Sequence, residues 1–212
     1  MTHSLHRSGE IAADKDFVWF MYQSKGINDT DIAAKAKQFI AVVEEVGSVN
    51  WGDVKSGPIV LLPKEEVLAK VGDKSRLRGV FTSKEQVVEF LKKIKEQEIG
   101  LSVVISGLLD NVLEACKEAG VTPHTINFSL GVFGNKERLP DVNTLAITTM
   151  CGHHMVPTGL VDKMRKDVAK GKITPDEAAL KLATFCPCGI FNQVRAAEIL
   201  RLDQQKNSAK DK

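Results

Sequence analysis

The sequence predicts an α/β protein, an open and mostly parallel or mixed sheet flanked by helices, followed by a C-terminal helical lobe that carries cysteines. Three observations lead there. Residues 17–22 are apolar at successive positions, as expected of a strand covered on both faces. Strand-like and helix-like segments alternate through the N-terminal part, and beyond Pro140 helix start and stop signals dominate.

The first strand, residues 17–22, stops at Ser24, Lys25 and Gly26, and a helix follows from about residue 29 or 30 to 46. Its apolar stripe is Ile32, Ala36, Phe39, Ile40 and Val43, with Gly47 placed to close it. Residues 58–62 read as a second strand and 64–71 as a short helix, whereas 77–81 is too brief and basic to assign. Ser83 followed by Gln86 gives the start of a helix running to about residue 97. Residues 101–105 form the next strand, broken by Gly107. Leu109, Val112, Leu113 and Cys116 then share a helical stripe that ends at Gly120, which makes Cys116 a core residue.

Residues 124–130 alternate as a strand does, with His124, Ile126, Phe128 and Leu130 on one face and Thr125, Asn127 and Ser129 on the other. His124 sits on the apolar set and reads as a core histidine. Gly131, Gly134 and Asn135 form a loop without the context of a dinucleotide fingerprint. A short helix precedes Cys151, although residues 146–149 also fit a final strand. Pro157 and Thr158 open the next helix, and Thr174, Pro175 and Glu177 occupy cap, first-turn and capping-box positions of another. A last helix begins soon after Gly189. The expected division is an α/β domain over residues 1–135, a helical metal-binding lobe over 136–202 and a disordered polar tail over 203–212. Strand order is not readable from these patterns.

Composition narrows the function. In a chain of 212 residues, 29 basic and 27 acidic side chains are interleaved, giving a net charge of +2 and no long basic face for a phosphate backbone. Nucleic acid is therefore not an expected partner. Residues 1–10 lack the apolar core of a secretory signal and no run is long enough to span a bilayer, so a cytoplasmic protein away from membranes is expected. Oligomeric state is left open.

The chemistry lies in Cys151, Cys186 and Cys188, together with His153 and His154. Thiolate and imidazole bind zinc and iron-sulfur clusters, and in a reducing compartment such a group favours metal over a disulfide framework. Both segments fall at helix junctions, where free amide groups lower a thiol pKa. Pro187 biases Cys186 toward an extended backbone, with Cα atoms about 6.5 Å apart across Cys-Pro-Cys, a spacing that suits separate irons of one cluster. Two thiolates on one zinc stand only about 3.8 Å apart. The expected cofactor is accordingly a 4Fe-4S cluster, with zinc as the alternative.

Three thiolates leave one cluster iron open as a Lewis acid, unless a histidine completes the set. The expected protein is an iron-sulfur enzyme, a lyase or sulfur-transfer enzyme acting on a small-molecule substrate. Cys151, Cys186, Cys188 and His154 are the metal ligands, and His153 or His154 carries the proton. Substrate contacts are expected from Ser24, Lys25, Asn28, Asn127, Asn192 and Arg195, and the segment containing His6 and Arg7 folds back over the pocket. The competing reading is a binding or regulatory module stapled by a closed Cys3His zinc site, against which the Cys-x-Cys spacing counts. A thiol-disulfide couple is weaker still, since cysteines at i and i+2 close a strained bridge.

Overall fold

A computed structural model of the chain describes residues 7–210. Its strands are β1 (Phe17–Tyr22), β2 (Asn50–Asp53), β3 (Gly57–Pro58), β4 (Arg78–Phe81) and β5 (Ser102–Ser106). They form one open sheet in the order β3-β2-β4-β1-β5, and every adjacent pair is antiparallel.

This corrects the expectation of a mostly parallel or mixed sheet, and the reason is topological. Helix α1 (Ile32–Val46) connects β1 to β2, and α3 (Lys84–Glu96) connects β4 to β5. Each helix joins two strands that run in the same direction, as strand-helix alternation implies. A third strand lies between them each time: β4 separates β1 from β2, and β1 separates β4 from β5. Two interlocked split β-α-β units thus produce an antiparallel sheet from a parallel-looking sequence. Two of the strands in these units, β2 and β4, are short glycine-containing segments that apolar periodicity does not mark. Gly79 is needed there, because a Cβ would lie 2.4 Å from the Asn50 carbonyl oxygen and 2.6 Å from both the Trp19 ring and Trp51 Cβ.

Alternation along β1 divides its side chains between two apolar layers. Phe17, Trp19 and Met21 join a core built from α1, α2 (Lys64–Ala69), α3 and α4 (Leu109–Glu118). Trp19, Phe39, Phe81 and Phe90 form its aromatic centre, with ring centroids 5.2–6.4 Å apart. Val18 and Phe20 point the other way, into a second core with α5 (Val142–Thr149), α6 (Thr158–Ala169), α7 (Pro175–Ala183) and α8 (Gln193–Lys210). The C-terminal helices are thus the third layer of the same sandwich, packed on the sheet.

Local signals worked where capping chemistry was explicit. Ser83 accepts the Gln86 amide, while Gln86 Oε1 accepts from the amide and hydroxyl of Thr82, so the reciprocal bond closes one residue before the cap. Thr174 and Glu177 make a complete capping box. Elsewhere the structure departs from expectation. Residues 124–130 form no strand and stand exposed in an irregular segment. Residues 146–149 are helical, within α5. Of the expected second strand over residues 58–62 only Pro58 pairs, in β3 with Gly57, and a turn follows. Residues 203–210 continue α8 instead of forming a disordered tail, and residues 211–212 lie outside the described part.

Candidate metal centre

Two chain reversals on the α5–α8 face build the site. The first follows α5, where Gly152 (φ 66°) and His154 (φ 56°) take left-handed backbone and the His153 amide donates to the Cys151 carbonyl at 2.7 Å. The second joins α7 to α8, where the Cys186 amide donates to Ala183 and the Gly189 amide to Cys186. Gly189 adopts φ 75°, and a Cβ there would lie 2.3 Å from the Trp51 carbonyl carbon and 2.5 Å from the Gly52 amide nitrogen. The Cys186–Gly189 turn is therefore seated directly on the backbone of β2, and only glycine fits.

That turn removes the extended Cys-Pro-Cys geometry expected from Pro187. The sulfurs of Cys186 and Cys188 are 3.8 Å apart, and Cys188 Sγ is 3.6 Å from His153 Nδ1. All three cysteine residues are fully buried. Cys151 hydrogen-bonds Cys186 and is raised well above the ordinary thiol range by that bond, with burial adding to it. Cys186 accepts from Cys151, which pulls it down, but donation to Cys188 and burial push it up to about 11. Cys188 is lowered by accepting that hydrogen bond, against the effect of burial and with help from the Arg78 guanidinium. The three thiols form a hydrogen-bonded relay whose most acidic member is Cys188.

Main-chain amides complete the electrostatics. His153 and Met155 direct N–H groups to the Cys151 sulfur, Cys188 to that of Cys186, and Ile190 to that of Cys188. The donors expected from a helix N-terminus come from these turns, because α8 starts four residues after Gly189 and Asn192 Oδ1 already accepts the Arg195 amide of its first turn. Among the described residues, no three Cys, His, Asp or Glu side chains stand together as a finished metal-holding set. The centre is a succession of pairwise approaches.

A buried ionic network clamps both reversals. Arg7 Nη1 lies 2.6 Å from each carboxylate oxygen of Asp16, and Arg7 Nη2 donates to the carbonyls of Met150, at 3.0 Å, and Ile190. Those carbonyls belong to the residue before Cys151 and the second residue after Cys188. Arg195 Nη1 donates to Asp16 at 2.7 Å, and its remaining nitrogens reach the carbonyls of Ser8, Gly9 and Ile11. Asn192 Nδ2 donates to Asp16 and to the Lys15 carbonyl. Burial alone would raise the Asp16 carboxyl, but the charges of Arg7 and Arg195 and the Asn192 hydrogen bond hold it below the usual carboxylate range.

Of the expected site residues, the structure brings Cys151, Cys186, Cys188 and His153 together. His154, preferred from sequence as the ligand, is exposed and makes no hydrogen bond to the described residues; the left-handed turn presents its neighbour to the sulfurs instead. Asn192 and Arg195 sit behind the centre with their polar atoms engaged by the clamp. Ser24 and Asn28 close their own turn after β1, through the Ser24 amide and Asn28 Oδ1 at 2.6 Å, and Lys25 is exposed beside them. Asn127 lies in the exposed segment after α4. Arg7 folds back as expected, while His6 lies outside the described residues. Sequence reasoning missed Asp16, whose signal is a single acid placed directly before an apolar strand, and Arg78, which lay in the unassigned stretch. Two surface hollows, one lined by residues such as Ile11, Val142 and Ala146 and one by Ile40, Leu68 and Ala69, include no cysteine. No protein-family model, curated protein or solved structure matches this chain.

Proposed function

We propose that this chain is a metal-binding α/β protein in which Cys151, Cys186, Cys188 and His153 hold a single thiophilic ion, zinc being the ion this donor set suits. The ion fastens the two reversals of the C-terminal helices to each other and, through Gly189, to the sheet. One observation carries the reading: the 3.8 Å between the Cys186 and Cys188 sulfurs. Two thiolates on one tetrahedral ion, each at about 2.3 Å, stand about 3.8 Å apart.

Three further features support it. Each sulfur receives main-chain N–H donors, which stabilise thiolate over thiol. The cysteines are fully buried, as in closed structural sites. Asp16, Arg7 and Arg195 carry one net positive charge behind the site, which complements three thiolates around a divalent ion. Binding draws the pairwise approaches into one shell and displaces the relay protons.

A second reading is a 4Fe-4S cluster with one iron open to a small substrate, supporting lyase or sulfur-transfer chemistry. The exposure of His153 favours it, since solvent reaches the donor set from that side, with His154 next to it to carry a proton. Protein purified without oxygen and assayed for zinc, iron and acid-labile sulfide separates the two. A colourless sample with one zinc per chain, lost in Cys186→Ser and Cys188→Ser, is the expected result. Brown protein with iron and sulfide establishes the second reading, and protein that neither carries nor takes up any of these metals refutes both.

A further inference from the structure

Cys151, Cys186 and Cys188 are fully buried, whereas an incoming ion starts in water. A buried donor set therefore needs an entry path. On the reversal after α5, His153, His154 and Met155 are exposed between the buried Cys151 and Val156. The His153 ring is already turned inward, with Nδ1 3.6 Å from Cys188 Sγ. His154 makes no hydrogen bond to the described residues and presents its imidazole to solvent.

The neighbours of His154 fix where it stands. The main-chain N–H groups of His153 and Met155 both donate to the Cys151 sulfur, so His154 bridges two amides that converge on one atom. Its backbone is left-handed, φ 56°, a region that glycine enters freely and other residues enter at a cost. The same reversal places a glycine at its other left-handed position, Gly152. Glycine at 154 would make this turn without strain, so what the histidine adds is its imidazole.

We propose that His154 is the capture ligand of the centre: it takes a hydrated zinc ion from solvent and passes it to His153 and the buried cysteines. This inference rests on the metal reading given above. Neutral imidazole is a ready zinc donor, and a single one releases the ion easily. His153 is the next residue along the chain and already faces Cys188. Capture replaces a free ion's search for a buried shell by a short transfer within one loop, where its effective concentration is high. His154 belongs to the path and not to the finished shell. It therefore speeds entry and exit by the same factor and leaves affinity unchanged.

The test measures zinc uptake and release separately. Stopped-flow mixing of metal-free protein with zinc, read by zinc-thiolate absorption, gives the uptake rate; excess chelator added to loaded protein gives the release rate. Two variants remove the imidazole: His154→Asn, whose side chain tolerates left-handed backbone, and His154→Gly, which relieves the strain. Both should slow uptake and release by roughly tenfold, with unchanged Kd in chelator competition and an unchanged circular dichroism spectrum. Unaltered rates overturn the proposal. Slower uptake with weakened affinity overturns it too, by placing His154 in the final shell, and slowing in only one variant traces the effect to the backbone and does the same. A wild-type chain that takes up no zinc refutes the metal reading itself, whereas tight zinc binding with unaltered rates refutes this inference alone.

Discussion

Replacing Asp16 by asparagine tests whether the buried clamp holds the candidate centre in place. Asp16, Arg195 and Arg7 are 3 %, 2 % and 10 % exposed, so solvent screens their charges little. The variant keeps the shape but leaves two guanidinium groups facing a neutral amide at contacts that measured 2.6 and 2.7 Å to a carboxylate. Breaking a buried ion pair in this manner costs about 3–5 kcal/mol, out of a total stability on the order of 5–15 kcal/mol. For a chain of this size that lowers Tm by roughly 6–20 °C. The asparagine carbonyl still accepts one hydrogen bond, which places the expectation toward the lower end.

The pH dependence adds a second readout. Asp16 titrates below the ordinary carboxylate range in the folded chain, so its stabilisation is complete above its unfolded value near about 3.9 and is lost as pH falls through the lower folded value. The gap between wild type and Asp16→Asn should therefore hold constant from about pH 7 to about pH 4 and narrow below that. Urea unfolding followed by circular dichroism, in matched zinc buffers, measures both. A loss under about 1 kcal/mol, or a gap that widens on acidification, would refute the clamp argument.

Two other outcomes are expected. Gly189→Ala combines a left-handed backbone with a Cβ driven into the Trp51–Gly52 peptide, so it should destabilise by at least about 2 kcal/mol and weaken metal retention; an unchanged melting curve would show that the turn does not bear on β2. His153→Gln should weaken zinc affinity by roughly 10- to 100-fold in a chelator competition, while His154→Gln leaves it unaltered, and the reverse ranking would restore the ligand assignment made from sequence.

What sequence revealed and concealed has a physical explanation. Elements with their own local code were legible: β1 through its unbroken apolar run, α1 through its stripe and Gly47, and α7 through Thr174 and Glu177. β2 and β4 were not, because Gly52 and Gly79 serve close backbone approach, and Asn50 and Asp53 serve side-chain hydrogen bonds to the main chain, instead of strand propensity. Their invisibility also turned an antiparallel sheet into an apparently parallel one. The cysteines announced the candidate centre, but their spacing could not reveal that a turn closed at Gly189 brings the Cys186 and Cys188 sulfurs to 3.8 Å. His153 was preferred over His154 by a left-handed residue that no local rule places. The segment at 124–130 was read as a strand from its alternation, and among the described residues it joins no sheet.

The Asp16 network also sets a constraint in time. Its acid and one of its arginines are made early, yet they answer to Met150, Ile190 and Arg195, far along the chain. At a translation rate of about 5–20 residues per second, Asp16 emerges roughly 10–35 s before its second counter-ion, Arg195, exists. Until then the N-terminal segment has nothing to dock on, and a nascent chain halted before residue 190 would leave both it and the underside of β1 open to chaperones.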